Sequence, residues 1–183
     1  MKLRGSALKT ISEAKGVSRQ QLAAAIERVN VKGDKAMSAI NNWFNDRDHP
    51  RARAEDVRKL AAALGVAPKD ICRFTTNLRN HRGSPRKAKL LVDMIRGKKV
   101  DVALNMLTFT TKSAAINVKK ALNAAIADAE QADADVTQLV VVESRVDEGP
   151  RMKRFQPKDR GRAHSIIKRF SHITIGVEEK AGR

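Results

Sequence analysis

Tyrosine is absent from this sequence, tryptophan occurs once and phenylalanine five times, so aromatic residues make up 3% of its 183 positions. So small an aromatic content argues against recognition of single-stranded bases by stacking, which needs exposed rings on a sheet. A single cysteine, Cys72, excludes an internal disulfide and reads as a small buried apolar group. Long hydrophobic runs are missing as well. No stretch reaches the roughly 18 apolar residues of a membrane span, and the opening MKLRGSALKTISEAKG has no apolar signal core. No membrane partner is expected, and the expected location is the cytoplasm. Acidic residues are in deficit, with 20 Asp and Glu against 37 Lys and Arg and a net charge of +17. That balance points to an anionic partner, nucleic acid first.

Catalytic signatures are lacking too. No G-x-x-x-x-G-K-S/T or G-x-G-x-x-G loop occurs, and Ser18, Ser84 and Ser171 lie in no nucleophile elbow. His49, His81, His164 and His172 show no metal-ligand spacing, and no cysteine cluster joins them. Asp147 and Glu148 are strand neighbours that point to opposite faces, which suits a turn or a contact to a nearby Arg better than acid/base work. No enzyme, cofactor or metal is expected. Charge and shape are left to do the binding.

What is present is helical and strand periodicity with two basic halves. Residues 1–72 carry 14 basic and 8 acidic groups, and residues 73–183 carry 23 and 12. Ser18 is an N-cap for a helix with Leu22, Ile26 and Val29 on one face, and Gly33-Asp34 restarts the chain into Met37, Ile40, Trp43 and Phe44, the last two read as core. Val57, Leu60, Ala61 and Leu64 repeat the helical spacing before Gly65 and Pro68. Phe74 to Asn80 reads as a short strand, and Ser84-Pro85 opens a helix with Ala88, Leu91, Val92 and Ile95 on its inner face. A short helix near Val100 to Leu107 precedes a longer one carrying Ala115, Val118, Leu122, Ala125, Ile126 and Ala129, on which Lys119-Lys120 by itself reads as a solvated face. Leu139 to Val142 and the alternating Ile173, Ile175 and Val177 read as strands.

Between those strands, RVDEGPRMKRFQPKDRGRAHSIIKR (145–169) holds ten basic side chains, His164 included, against three acidic ones. Two extended arms of about twelve residues reach roughly 40 Å, and an isolated ribbon of that length is marginal in water. A polyanion is the expected support.

From Phe74 to Glu178 the sequence resembles the ribosomal L-twenty-two family. The resemblance rests on SPRKAKLLVDMIRGKK (84–99), the alanine-rich helical pattern from Ala103 to Glu130, VDEGPRMKRFQPKDRGRAHSIIKR (146–169) and SHITI (171–175), in that order. It implies a small α/β domain with a three-stranded sheet, a hairpin over about 137–178 that projects into large-subunit rRNA, and a tip over about 149–162. It further implies that Gly149, Pro150, Met152, Lys153 and Arg154 line the polypeptide exit tunnel near the macrolide site, where the nascent polypeptide passes. Arg86, Lys87, Lys98, Lys99, Lys119 and Lys120 match basic positions of the family's body that face rRNA. Along the hairpin, Arg145, Arg151, Lys158, Arg160 and Arg162 join Lys153 and Arg154, followed by His164, Lys168, Arg169 and His172. Phosphate neutralisation by such residues supplies affinity. Gly149, Pro150, Pro157 and Gly161 are expected to permit a tight path through folded RNA. Neighbouring large-subunit ribosomal proteins are expected partners, and the chain is expected to be ribosome-bound.

Residues 6–72 resemble something else, the Cro and phage-repressor helix-turn-helix. VSRQQLAAAI (17–26), AINNWFNDRDHPRA (39–52) and LAAALGVAPKDI (60–71) carry that resemblance, with Glu27 to Ala36 longer than the motif's tight turn. By it, a helix over Lys35 to Asn45 is the reader and offers Lys35, Ser38, Asn41 and Asn42 to nucleic acid. DNA binding is the role this resemblance implies, and a separate reading makes residues 1–72 a module that docks onto neighbouring rRNA or a ribosomal protein. The almost absent linker between Ile71 and Phe74 favours docking. The expected fold class is α+β: an all-helical, helix-turn-helix-like domain (1–72), then a small α/β ribosomal-protein domain (73–183) with a long protruding β-hairpin.

Overall fold

A computed structural model describes residues 1–26 and 31–180, and the fold is α+β. The chain forms two compact units, Met1–Phe74 with Asp128–Asp135, and Thr75–Ala127 with Val136–Arg183.

In the first unit β1 (Lys2–Leu3) pairs antiparallel with the start of β2 (Cys72–Arg82), Leu3 opposite Cys72. Between them lie α1 (Gly5–Lys15), α2 (Arg19–Ala25), α3 (Asp34–Phe44), α4 (Ala54–Leu64) and α5 (Pro68–Ile71). Ser18 caps α2 as expected. The Gln21 N–H donates to its Oγ at 3.3 Å, and its own N–H donates to Gln21 Oε1 at 2.9 Å, so two orphan donors of the first turn are satisfied. Gly65 ends α4 in the left-handed region at φ 61°. Leu8, Leu22, Ile26, Ile40, Trp43 and Leu60 are buried, and the Trp43 indole N–H donates to Pro50 O at 2.8 Å. Val29, expected on the same face as Leu22 and Ile26, lies outside the described residues, as do Glu27 to Asn30 of the connection into α3.

Neither β1 nor α1 was expected. The inward face of α1 is Gly5, Leu8 and Ser12, a single large apolar residue between two small ones, so the hydrophobic stripe that marks a helix is missing. Close approach explains the glycine, because a Cβ at Gly5 would clash with the carbonyl oxygens of Trp43 and Phe44 at the end of α3. The Gly5 N–H also donates to Asp46 Oδ1 at 2.7 Å.

The second unit continues β2 and adds α6 (Pro85–Ile95), α7 (Val100–Thr108), α8 (Ala114–Glu130), β3 (Leu139–Pro157) and β4 (Ala163–Glu179). Its strands lie in the order β2-β4-β3. Helix α6 packs on β3 and β4 through Ala88, Leu91, Val92 and Ile95, all buried. Leu139, Val141, Ile173, Ile175 and Val177 meet them from the sheet and are fully buried. Each such aliphatic side chain contributes about 1.5 to 3 kcal/mol by leaving water. The other edge of β3 is not left open, since Lys99 bridges Val140, the Gly97 N–H donates to Val141 O at 2.8 Å, and the Val141 N–H donates to Lys98 O at 2.9 Å.

Candidate nucleic-acid interface

Strands β3 and β4 pair antiparallel from Leu139 opposite Glu179 to Pro157 opposite Ala163, with register shifts between Val141 and Glu143 and between Glu148 and Arg151. Burial divides this pair in two. Its root holds the buried residues, and beyond Gly149 and Phe170, both half-buried, none is buried. This outer ribbon, Pro150 to Arg169, carries eight Lys and Arg with Asp159 as its one carboxylate. At about 3.3 Å per residue, the eight residues from Pro150 to Pro157 span roughly 26 Å.

Directly opposed residues share a face and strand neighbours do not. Met152 with Lys168, Arg154 with Ile166 and Gln156 with His164 therefore form one face of the ribbon, while Arg151 with Arg169, Lys153 with Ile167 and Phe155 with Ser165 form the other. The triplet expected at the tip is thus split, Met152 and Arg154 on one side and Lys153 on the other. The turn itself is Lys158–Arg162. The Lys158 N–H donates to Arg162 O at 2.7 Å, and Arg160 and Gly161 adopt left-handed backbone at φ 54° and 70°. Gly149 and Pro150 lie instead at the bulge, well short of the turn. There a Cβ on Gly149 would come within 3.0 to 3.1 Å of Phe170, so the glycine permits strand contact rather than a reversal.

Charge at the bulge is partly paired. Arg151 meets Glu148 at 2.6 Å and holds its carboxyl below the usual carboxylate range, with Arg169 on β4 and Arg86 on α6 close enough to add to the effect. Arg145 lies 3.6 Å from Glu143 and 3.5 Å from Asp147. Both of the acids weighed for acid/base work are therefore ion-paired to Arg. Such exposed pairs contribute little to stability and leave the guanidinium groups accessible. The root is fastened by a residue that sequence reasoning missed, Arg96. Its Nε donates to Ser144 Oγ at 3.2 Å, its terminal nitrogen to Ser144 O, and the buried Ser144 hydroxyl donates to Val92 O at 2.9 Å. A lone arginine after a helix reads as surface charge, and nothing local reveals its partner 48 positions away.

On the body, Arg86, Lys87, Lys98, Lys99 and Lys120 are exposed, whereas Lys119 is half-buried and donates to Thr108 Oγ1 at 2.9 Å. His164 is exposed on the ribbon. His172 uses its Nδ1 to accept the Asn80 N–H at 3.1 Å, so that nitrogen holds β2 to β4. In the extension, Lys35 and Ser38 are exposed on α3, but Asn41 accepts from Arg19 at 3.2 Å and Asn42 donates to His49 O at 2.8 Å.

The aromatic content is low, and two of the five Phe rings are open to solvent, Phe109 at 85% and Phe155 at 77% exposure. Composition counts rings and says nothing of where they point. Among the described residues no three or more His, Cys, Asp or Glu side chains come together as a metal site, and no helix is long and apolar enough to cross a membrane.

His81 gives a pH test of this unit. Its Nδ1 lies 3.0 Å from the Asn117 side-chain nitrogen, and burial lowers its pKa from the ordinary histidine value. The depressed folded value means stability is complete above the unfolded pKa of about 6.5 and is lost as pH falls through it toward the folded pKa. The melting temperature of the wild type is expected to fall more between pH 7 and 5 than that of His81→Gln. Parallel curves for the two would show that His81 is not the titrating group.

Residues 76–178 match the family model described as Ribosomal protein L22p/L17e, a span that takes in β2 from Thr76, all three helices of the second unit and the whole β3–β4 ribbon. Covering more than half of the sequence, the match shows that this chain belongs to the ribosomal protein L22p/L17e family, whose members are ribosome-bound, non-enzymatic structural proteins of the large subunit that bind its rRNA.

Proposed function

We propose that the outer ribbon of β3 and β4 threads into folded large-subunit rRNA and forms part of the polypeptide exit tunnel wall, with the nascent polypeptide passing one of its faces. The observation that carries this reading is the ribbon itself: paired strands with eight cationic residues, one carboxylate and nothing buried between Pro150 and Arg169. A folded chain does not hold such an element for its own stability. RNA supplies what the ribbon lacks, with phosphates to neutralise the cations and a surface against which the strands are held. Arg86, Lys87, Lys98, Lys99 and Lys120 extend the cationic surface onto the body, with Lys119 bracing α8 against the end of α7.

Deleting Met152 to Arg154 tests the tunnel assignment. An odd-numbered deletion inverts the facing of every residue between it and the turn, so ribosomes carrying it are expected to show altered macrolide sensitivity while the isolated protein melts at the wild-type temperature. Unchanged macrolide sensitivity in ribosomes that contain the variant would remove the ribbon from the tunnel wall. Loss of the body's fold would contradict the separation of root from ribbon.

For the first unit we favour a docking module for adjacent rRNA or a ribosomal protein over a DNA-binding regulator. Asn41 and Asn42, the two side chains of α3 best suited to reading bases, are engaged within the unit itself. A specific DNA reader discriminates among duplexes by several kcal/mol at one salt concentration. This chain is expected to bind duplexes of different sequence alike, with a steep salt dependence.

A further inference from the structure

We propose that the Phe155 ring is a stacking platform for an unpaired base of large-subunit rRNA, a site that rests on the reading of the ribbon as an rRNA-binding element. Phe155 lies on β3 directly opposite Ser165, with Lys153 two residues back on the same face and Ile167 on the adjacent diagonal. The ring is 77% exposed and Ile167 is 49% exposed. Toward the root the face continues with Arg151 opposite Arg169, and toward the turn with Pro157 opposite Ala163. It therefore presents an apolar strip, a flat ring beside a branched side chain, bordered by Lys153, Arg151 and Arg169, of which Arg151 is paired with Glu148 on the root side. On the ribbon the opposite face carries no Phe, its one aromatic ring being the His164 imidazole across from Gln156.

Three features point to a nucleobase. Burial does not account for the ring, because no residue of the ribbon is buried. The small Ser165 across the strand leaves the ring uncovered. A stacked base brings its own phosphates, which Lys153, the cation nearest the ring along β3, is placed to neutralise with Arg169 beyond it, whereas an apolar protein segment would bring Lys153 no opposite charge. The competing reason for an aromatic residue here is cross-strand packing with Ile167, which strengthens the ribbon. Packing needs apolar volume and β-propensity but no π-face, so isoleucine at this position separates the two roles.

The test uses the full chain and protein-free large-subunit rRNA, with affinity measured by filter binding across a salt series. Phe155→Trp is expected to bind as the wild type does. Phe155→Ile and Phe155→Ala are each expected to bind about tenfold more weakly, with an unchanged salt slope because no phosphate contact is lost. Wild-type affinity in Phe155→Ile overturns the proposal and leaves the ring a packing residue. Unchanged rRNA affinity with altered nascent-chain crosslinking in translating ribosomes also overturns it, assigning the ring to the polypeptide. A variant with five ribbon cations replaced by glutamine separates this from the underlying reading. If that variant loses affinity and Phe155→Ile does not, stacking alone fails; if neither loses affinity, the ribbon is not the rRNA-binding element.

Discussion

Replacing Lys153, Arg154, Lys158, Arg162 and Lys168 together by glutamine is expected to weaken binding to large-subunit rRNA by roughly 100-fold or more at physiological salt. The salt dependence is expected to flatten at the same time by about 4 in the slope of log K against log salt, since each phosphate neutralised contributes about 0.7 to 0.9. The melting temperature is expected to stay where it was. None of the five is buried, and substitutions at surface positions away from caps, cores and networks usually change stability by less than about 0.5 kcal/mol each. Filter binding from 50 to 300 mM salt and a thermal melt give both answers. A variant that melts normally and keeps its affinity and slope would take the RNA off the ribbon. One that unfolds would show that these cations serve the fold, against the burial pattern.

At the root the balance is reversed. Ile175→Ala is expected to cost about 2 to 5 kcal/mol in stability. Ile175 is completely buried on β4 opposite Ser144, the residue to which Arg96 anchors the strand. Truncation there removes transfer energy and leaves a cavity in a layer packed from both α6 and the sheet. Ile167→Ala, eight positions earlier on the same strand and half exposed, is expected to change stability by less than about 0.5 kcal/mol. Urea unfolding of the two variants supplies the comparison. Equal losses at both positions would mean that the ribbon folds as one cooperative unit with the root, and the division drawn at Gly149 and Phe170 would fail.

Sequence reasoning served where a local pattern carries its own physics. The Ser18 N-cap, the helix stop at Gly65, the α6 face of Ala88, Leu91, Val92 and Ile95 and the alternation of Ile173, Ile175 and Val177 all follow from short-range periodicity and capping chemistry. The basic ribbon stood out for the same reason. A stretch with this much charge and so few apolar residues has no face to bury. Reading failed where the deciding partner lies far along the chain. Helix α1 is silent because Gly5 and Ser12 are buried by close approach rather than by hydrophobicity. Nothing near Arg96 in the sequence points to Ser144, and nothing near His172 points to the Asn80 N–H that its Nδ1 accepts.

Of this protein's character, the sequence by itself determined the composition of its binding element, cationic and coreless, and the family to which residues 76–178 belong. Tertiary structure decided how that charge is presented. Strand register puts Met152 and Arg154 on one face and Lys153 with Phe155 on the other, and the bulge at Gly149 sets where the ribbon leaves its root. A one-residue slip would exchange the two faces. The contacts that prevent it, between α6 and β3 and between Gly149 and Phe170, join residues distant in the chain, so no local reading of either partner contains them.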